Sequence, residues 1–252
     1  MRVRGKPMAG QLKRVMVVSI ILILLSWWQR VALPAPEALL PALLDDPVQV
    51  EVKRAPFEAT VGGITYSVRP LYSYDIAGLV VSMHDSNAWW DWIHEAWNDR
   101  LNVVDLCVVY GENVRTGAYQ GMHYSSGEFV CNFSTDSTER WRAFSLPALS
   151  NNHLLADQPA LARRLRGVRV GDQVRVRGYL AEYSHNHGFA FFRGTSTTRL
   201  DTGNGACETI YVEDFELLHQ GGRPWRVLFW VGIAGVLCSV VGWFMLPPVL
   251  ND

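Results

Sequence analysis

Two long apolar runs lie near the two ends of the chain. Between them, apolar and polar residues alternate in short runs. Residues 15–28 carry no charge and follow a basic segment, which is the order of a secretory signal or a membrane anchor. Residues 227–246 are uncharged, have Trp near both ends and are followed by two prolines. Twenty such residues can cross a bilayer. We therefore predict transmembrane helices over residues 15–32 and 227–246, although the first can instead be a cleaved signal.

The basic residues around these runs favour one orientation. Five of them precede the first run, whereas the segment between the runs has fewer basic residues at its ends; the flanking set is Arg30, Arg223 and Arg226. Because positive charge is enriched on the cytoplasmic side, we expect residues 1–14 and 247–252 to be cytoplasmic tails. Residues 33–47 form a proline-rich spacer, and residues 48–222 form a domain outside the cytoplasm.

Short runs of period-two alternation dominate this domain. In residues 173–182, Val174, Val176 and Leu180 alternate with polar or charged neighbours, as in a strand with one buried face. Gly178 in the same run predicts a bend or a bulge. Gly62-Gly63 predicts a hairpin turn. About seven such runs indicate an α+β, mainly β fold, and we predict an OB-like bent antiparallel barrel with one or two helices.

Residues 85–100 are the exception, because their apolar residues recur at helical spacing. Trp89, Ile93 and Trp97 would form one stripe of a helix. We expect this stripe to close the core of the domain. The alternative is that Trp90 or Trp92 faces a membrane or a partner protein.

Composition and cysteine use narrow the classes of protein. The chain has 252 residues, 49% of them hydrophobic, and a net charge of −1; this allows a substantial core and argues against a nucleic-acid-binding protein. Cys238 falls in the second apolar run. Of the remaining three cysteines, we expect Cys107 and Cys131 to form a disulfide and Cys207 to be free, with Cys131–Cys207 as the alternative pairing.

Two groups of residues are candidates for metal binding or catalysis. His185 and His187 lie on one side of an extended segment, as metal ligands would, with Cys207 or His153 as a third ligand; an ordinary polar turn explains the same residues. Cys207 can also be a nucleophile, with His153 as its base and Asn152 as the orienting amide. No known hydrolase signature surrounds Cys207.

The segment GTSTTRLDTGNGACE, residues 194–208, combines turn residues with charges. Its glycines and short polar side chains are typical of a rigid turn structure. Such a loop can present Arg199, Asp201 and Glu208 to a ligand, and Asp201 is a catalytic candidate as well. Arginines crowded into residues 163–177 can meet lipid phosphates, although a solvated face explains them equally.

Several strings together carry a resemblance that covers residues 66 to about 217. They are DLCVVYGEN, LSNNHLL, GDQVRVRGYL and TSTTRLDTGNGACE. With them the chain resembles a family of membrane-anchored proteobacterial proteins of about this size. The resemblance implies a bacterial inner-membrane protein and implies no reaction.

Three functions are consistent with these observations. The expected one is a non-enzymatic interaction or assembly subunit of an envelope complex, with membrane lipids and a membrane protein as partners and without a cofactor or nucleic acid. A module that binds a ligand, lipid or metal is the first alternative. An envelope hydrolase or transferase that uses Cys207 and His153 is the second.

Overall fold

The computed structural model describes residues 5–198 and 207–246. The chain forms two compact units: the terminal segments, up to Ala32 and from Gly222 onward, make one, and Leu33–Gly221 makes the other. The terminal unit contains helices α1 (Gly5–Gln29) and α6 (Arg223–Phe244). Both helices are long and apolar enough to cross a membrane.

Small residues line the contact between these two helices. A Cβ at Gly235 of α6 would lie 2.2 Å from Oγ of Ser19 in α1, and one at Gly232 would lie 2.7 Å from Ile23. Backbones of membrane helices approach closely where such side chains are small. The glycines of the second apolar run therefore allow the pair of helices to pack.

The larger unit is built mainly from strands. Ten are present among the described residues: β1 (Val48–Glu51), β2 (Phe57–Val61), β3 (Ile64–Asp85), β4 (Asn102–Val109), β5 (His123–Gly127), β6 (Val130–Ser134), β7 (Leu149–Leu155), β8 (Gln173–His185), β9 (Phe191–Arg193) and β10 (Glu208–His219). Four short helices accompany them: α2 (Ile93–Ala96), α3 (Gly111–Thr116), α4 (Thr138–Ala143) and α5 (Pro159–Arg166). The fold is thus α+β and mainly β, with more strands and helices than we predicted.

One eight-stranded sheet is partly ringed. Its order is β1-β3-β4-β7-β10-β8-β9, with β2 on β3, and β3 also pairs with β8. This last pairing joins β3, β4, β7, β10 and β8 in a ring. The 22-residue β3 serves both neighbours because different parts of it are used: residues 67–79 pair with β8 and residues 79–85 with β4. Register shifts accompany the bend, as expected of bulges.

The sheet is mixed, which corrects the expected all-antiparallel arrangement. Strand β10 runs parallel to β7, while every other described pair in the sheet is antiparallel. Parallel neighbours need a crossover connection, and here α5 and β8 lie between the two strands in sequence. The small hairpin β5–β6 forms a separate two-stranded sheet.

Inward-facing residues of the ring form the main core. It includes Val80, Leu106, Leu154, Val176 and Ile210, all buried. A second cluster lies on the outer face of β3 and β4, under α3 and the β5–β6 hairpin, and contains Cys107. Because side chains alternate along a strand, Asp105 and His153 also point to the outer face, away from Leu106 and Leu154.

The proline-rich segment after the first helix packs on this domain. Leu43 is fully buried, and the Tyr119 hydroxyl donates to the Pro34 carbonyl at 2.6 Å. The Gln173 side chain accepts from the Leu40 N–H at 2.8 Å and donates to the Ala38 carbonyl at 3.0 Å. Residues 33–47 therefore belong to the domain and are not a free linker.

Candidate functional site

A row of buried polar side chains crosses the outer face of the ring. Strand register places His84 of β3 opposite Asp105 of β4, Asp105 opposite His153 of β7, and His153 opposite Thr209 of β10. All four residues are buried. Buried polar groups are normally hydrogen-bonded, and the contacts of this row define the candidate site.

Asp105 and His153 form its centre. His153 Nδ1 donates to Asp105 Oδ1 at 2.6 Å, Asn102 Nδ2 donates to the same oxygen at 2.9 Å, and the Phe129 N–H donates to Oδ2 at 3.1 Å. Burial lowers the pKa of His153, but the Asp105 carboxylate outweighs it and raises that pKa to about 9. In turn, although burial opposes the shift, His153 and Asn102 hold the pKa of Asp105 below its ordinary value.

Cys207 lies at one end of this pair. Its thiol lies beside His153 and contributes to the raised pKa of that imidazole. The Asn151 side-chain amide donates to Sγ at 3.5 Å, and Sγ lies 3.8 Å from the Phe129 carbonyl oxygen. Arg193 of β9 lies against Nε2 of His153, with a nitrogen separation of 2.8 Å. The thiol therefore lies next to a hydrogen-bonded imidazole–carboxylate pair, and these are the three kinds of group that form a nucleophile, its base and the group that orients the base.

Asn152 does not take the orienting role that we predicted for it. Adjacent residues of a strand point to opposite faces, so Asn152 points into the ring while His153 points out. Asn152 Nδ2 donates to the Leu106 carbonyl at 3.2 Å. Glu208 also points inward and is buried, where it accepts from the Ser150 hydroxyl. Asp105, which lies 48 residues before His153, orients the imidazole instead.

A second group of buried ionisable residues continues the row beyond Asp105. Asp91 Oδ2 accepts from His84 Nε2 at 2.7 Å and from His94 Nδ1 at 2.5 Å, while Oδ1 accepts from the His94 N–H at 3.0 Å. Asn102 Nδ2 then donates to His94 Nε2 at 3.0 Å as well as to Asp105. One hydrogen-bonded network of side chains thus runs from His84 to His153.

The segment that carries Asp91 reverses the predicted arrangement. Only Ile93–Ala96 is α-helical, and the expected apolar stripe is not buried, since Trp89 is 91% exposed and Trp97 42%. Trp90 and Trp92, the residues of the alternative, are 61% and 67% exposed, whereas Asp91 is 5% exposed and His94 2%. We name residues 86–92 the tryptophan loop. The prediction of a Trp-lined helix closing the core is wrong, because hydrogen bonds to His84 and His94 draw Asp91 inward and leave its Trp neighbours outside.

The histidines that we predicted as metal ligands have other contacts. His185 Nε2 donates to the Trp97 carbonyl at 2.9 Å, and its Nδ1 accepts the His187 N–H at 3.1 Å. The His185 ring stacks on Phe191, while His187 is exposed. Within residues 5–198 and 207–246, the one group whose ligand atoms converge is His84, Asp91 and His94.

Cys107 and Cys131 form a disulfide, with Cα atoms 5.8 Å apart, and Cys207 and Cys238 are free. This is the first of the two pairings that the sequence allows. Arg199 and Asp201 lie outside the described residues.

Sequence reasoning missed His84, Asp91, His94, Asp105 and Arg193. Asp105 could have been identified from the sequence, because it is the one charged residue in the otherwise apolar run VVDLCVV. A carboxylate in a fully buried strand requires a partner.

Comparisons with protein-family models, with curated proteins and with solved structures find no match to the chain.

Proposed function

We propose that this chain is a bacterial inner-membrane protein that presents an OB-like domain in the periplasm as an interaction or assembly subunit of an envelope complex. In this proposal α1 and α6 span the membrane and both termini are cytoplasmic. The basic N-terminal segment supports the orientation. The Cys107–Cys131 disulfide supports an oxidising compartment for the domain.

The ring of strands supports the OB-like architecture. Five strands are joined in it, the first bends to pair at both sides, and an α-helix lies between the third and fourth. OB-folds bind ligands through the loop between strands one and two and the loop between strands four and five. Here those positions correspond to residues 86–101, which include the tryptophan loop, and to the connection between β8 and β10, of which residues 186–198, with the short strand β9, and Cys207 are described.

The exposure of the tryptophan loop is the observation that carries the interaction function. Three Trp side chains within four residues face solvent, although each would contribute several kcal/mol if buried. The burial of Asp91 between them shows that this exposure is built into the loop and is not a frayed end. Exposed aromatic clusters mark docking surfaces, and Trp is enriched at interface hot spots.

Purification of the full-length protein in mild detergent, with quantitative mass spectrometry of co-eluting proteins, tests this proposal. We expect a stoichiometric membrane protein with the wild type. A variant with Trp89→Ser, Trp90→Ser and Trp92→Ser should retain at least about tenfold less of it, since hot-spot truncations each cost 2 kcal/mol or more. Trp141→Ser is the matched control, because Trp141 is also exposed but lies in α4.

Two results would contradict the proposal. The triple variant would retain the partner as well as the Trp141→Ser control does, or the wild type would elute without a protein partner and with a bound small molecule. The second result would move the function to a ligand-binding module.

The order Cys207, His153, Asp105 favours a second candidate function, acyl transfer or hydrolysis through a thiol. The thiol proton would be held on His153 while Sγ attacks a carbonyl carbon of an envelope ester or amide. A thioester to Cys207 would form, and the leaving group would take the proton from His153. Asn151 Nδ2, at 3.5 Å from Sγ, is placed to meet the carbonyl oxygen.

Alkylation of Cys207 by iodoacetamide, followed by mass spectrometry, tests this second candidate. In a Cys238→Ser background, we expect His153→Gln and Asp105→Asn to slow the modification of Cys207 by at least about tenfold, as loss of a general base does. Equal rates in all three proteins would exclude an activated thiol. Each variant must show the near-ultraviolet circular dichroism of the wild type, so that a slower modification does not reflect unfolding.

A further inference from the structure

We propose that His84, Asp91 and His94 form a binding site for one divalent transition-metal ion of the Zn²⁺ class. The site is distinct from the histidines of the 184–188 turn, and it does not depend on the interaction function proposed above.

The three ligand atoms already converge. His84 Nε2, His94 Nδ1 and one carboxylate oxygen of Asp91 all lie within 4.8 Å of one another, and all three side chains are buried. Two imidazoles and a carboxylate are a ligand set that zinc sites use, with a fourth position left for water. Ligand atoms at about 2.0–2.2 Å from an ion lie roughly 3.3 Å apart in a tetrahedron.

The adjustment needed for an ion is small. The two nitrogens now lie 2.7 Å and 2.5 Å from Asp91 Oδ2, so each must move outward by less than about 1 Å to reach the separation of a tetrahedral site. The N–H protons that now bond to the carboxylate leave when the nitrogens coordinate. Both nitrogens face Asp91, since each donates to the same carboxylate oxygen.

Asn102 offers the outer contact that a coordinated His94 requires. Coordination through Nδ1 moves the remaining ring proton to Nε2, and metal-bound histidines usually donate that proton to an oxygen. Asn102 Nδ2 lies 3.0 Å from this nitrogen, while the buried Asn102 Oδ1 has no partner among the described residues. If the amide turns, Oδ1 accepts the His94 proton, and Asp105 keeps its bonds from His153 and the Phe129 N–H.

The positions of the three ligands in the chain indicate that a bound ion would stabilise the tryptophan loop. His84 lies in β3, whereas Asp91 and His94 lie on the segment that leaves this strand. An ion would replace hydrogen bonds at the base of the tryptophan loop by coordinate bonds. It would therefore hold the loop to the sheet more firmly and reduce local opening of residues 86–94.

Cobalt binding to the full-length protein in detergent tests the site. The protein is purified with a histidine-free affinity tag, treated with EDTA, exchanged into chelator-free buffer and incubated overnight with Co²⁺. We expect one tightly bound ion per chain by elemental analysis, with visible absorption typical of tetrahedral Co²⁺, and displacement by Zn²⁺. His84→Ala and Asp91→Asn should each weaken binding at least about 100-fold, since the first removes a ligand and the second replaces the anionic ligand by a neutral amide.

Asp91→Asn and the control variant His187→Ala separate loss of the site from loss of the fold. Asp91→Asn keeps an acceptor oxygen for one histidine, so the variant can stay folded while it loses the charged ligand. His187→Ala is the control, because His187 is exposed and outside the group, and it should bind the ion as the wild type does. Amide hydrogen exchange of residues 86–94 should slow on loading in the wild type and in His187→Ala alone.

The proposal is overturned if the wild type binds no more Co²⁺ than His84→Ala, or if Asp91→Asn, with native circular dichroism, retains wild-type affinity. Neither result depends on whether a protein partner is found, because binding of a partner is measured with the tryptophan variants.

Discussion

Strand β8 and the tryptophan loop differ in which side chains they bury. In the first half of β8 the apolar residues Val174, Val176 and Leu180 are buried, and Arg175 and Arg177 are only partly covered. In the tryptophan loop the apolar residues are exposed and the charged residue Asp91 is buried. Both segments have a clear sequence pattern, yet only the first could be interpreted from hydrophobicity.

The difference lies in how each backbone is held. Strand β8 pairs with β3 on one side and β10 on the other, so its alternation is fixed and the hydrophobic effect selects the inward face. The tryptophan loop pairs with no strand among the described residues, and its conformation depends on the hydrogen bonds that Asp91 accepts from His84 and His94. Hydrogen bonds to a charged group are strong and directional, so they decide the direction of the loop.

Gly178→Ala should reduce the free energy of unfolding more than the other substitutions, because the backbones of β8 and β10 approach closely at Gly178. A Cβ there would lie 2.0 Å from the Tyr211 carbonyl oxygen. We expect a loss of about 3 kcal/mol or more, or a fall in the thermal midpoint of roughly 6–12 °C. Thermal unfolding of the full chain in detergent, followed by near-ultraviolet circular dichroism, measures it. Gly194→Ala, whose Cβ would lie 3.9 Å from Phe192, should change little; an equal loss would refute the close approach.

Asp91→Ala tests the irregular segment. It leaves two buried histidines without their acceptor, and we expect a loss of about 2–3 kcal/mol. Asp136→Ala, at an exposed position, should stay within about 0.5 kcal/mol of the wild type. Thermal midpoints of the three proteins give the comparison. A small effect of Asp91→Ala would mean that the loop is held by something other than this carboxylate.

Alkaline pH should weaken the polar row and leave β8 unaffected. The pKa of His153 is raised to about 9 in the folded chain, above about 6.5 in an unfolded one. Between these values the folded state holds a proton that the unfolded state has lost. The stabilisation is therefore complete below pH 6.5 and is lost as the pH rises through 9, by up to about 1.4 kcal/mol per pH unit.

Unfolding measured from pH 6.5 to 9.5, in the wild type and in His153→Gln, checks this dependence. The glutamine variant should be less stable at pH 6.5 and should show a flatter profile. Parallel profiles for the two proteins would show that His153 does not carry the proton.

Trp89→Ser should have the smallest effect on stability. It distinguishes a tryptophan that is exposed in the loop from one that is buried in the core. If Trp89 closed the core, as the helical pattern indicates, its truncation would cost about 3–5 kcal/mol. At 91% exposure we expect a change within about 0.5 kcal/mol. The thermal midpoint decides between these values, and a fall of more than about 5 °C would restore the buried-stripe interpretation.

Much of the architecture was predictable because it depends on periodicity. The two apolar helices, the α+β class, the inward face of β8 and the irregularity at Gly178 all follow from spacing along one segment. The bulge is present, since the register with β10 shifts between Val212 and Asp214, next to Gly178. The parallel pairing of β7 with β10 was not predictable, because the path of the chain between those strands sets it.

The site was less predictable, for a related reason. Cys207 and His153 were named as candidates together, but Asp105 was absent from the prediction, and Asn152 was named as the orienting group although it lies on the opposite face of β7 from His153. Which residue lies opposite His153 depends on the register between β4 and β7. That register follows from packing of the whole ring, and no local pattern contains it.

The sequence by itself determined where this chain is apolar enough for a membrane and which of its strands have one buried face. The tertiary structure decided that His84, Asp105 and His153, which come from three separate strands, share one buried row. It also decided that the tryptophans point outward. The physical reason is that hydrophobic burial acts on each segment through its own periodicity, whereas a polar network forms only where strand register brings its donors and acceptors together.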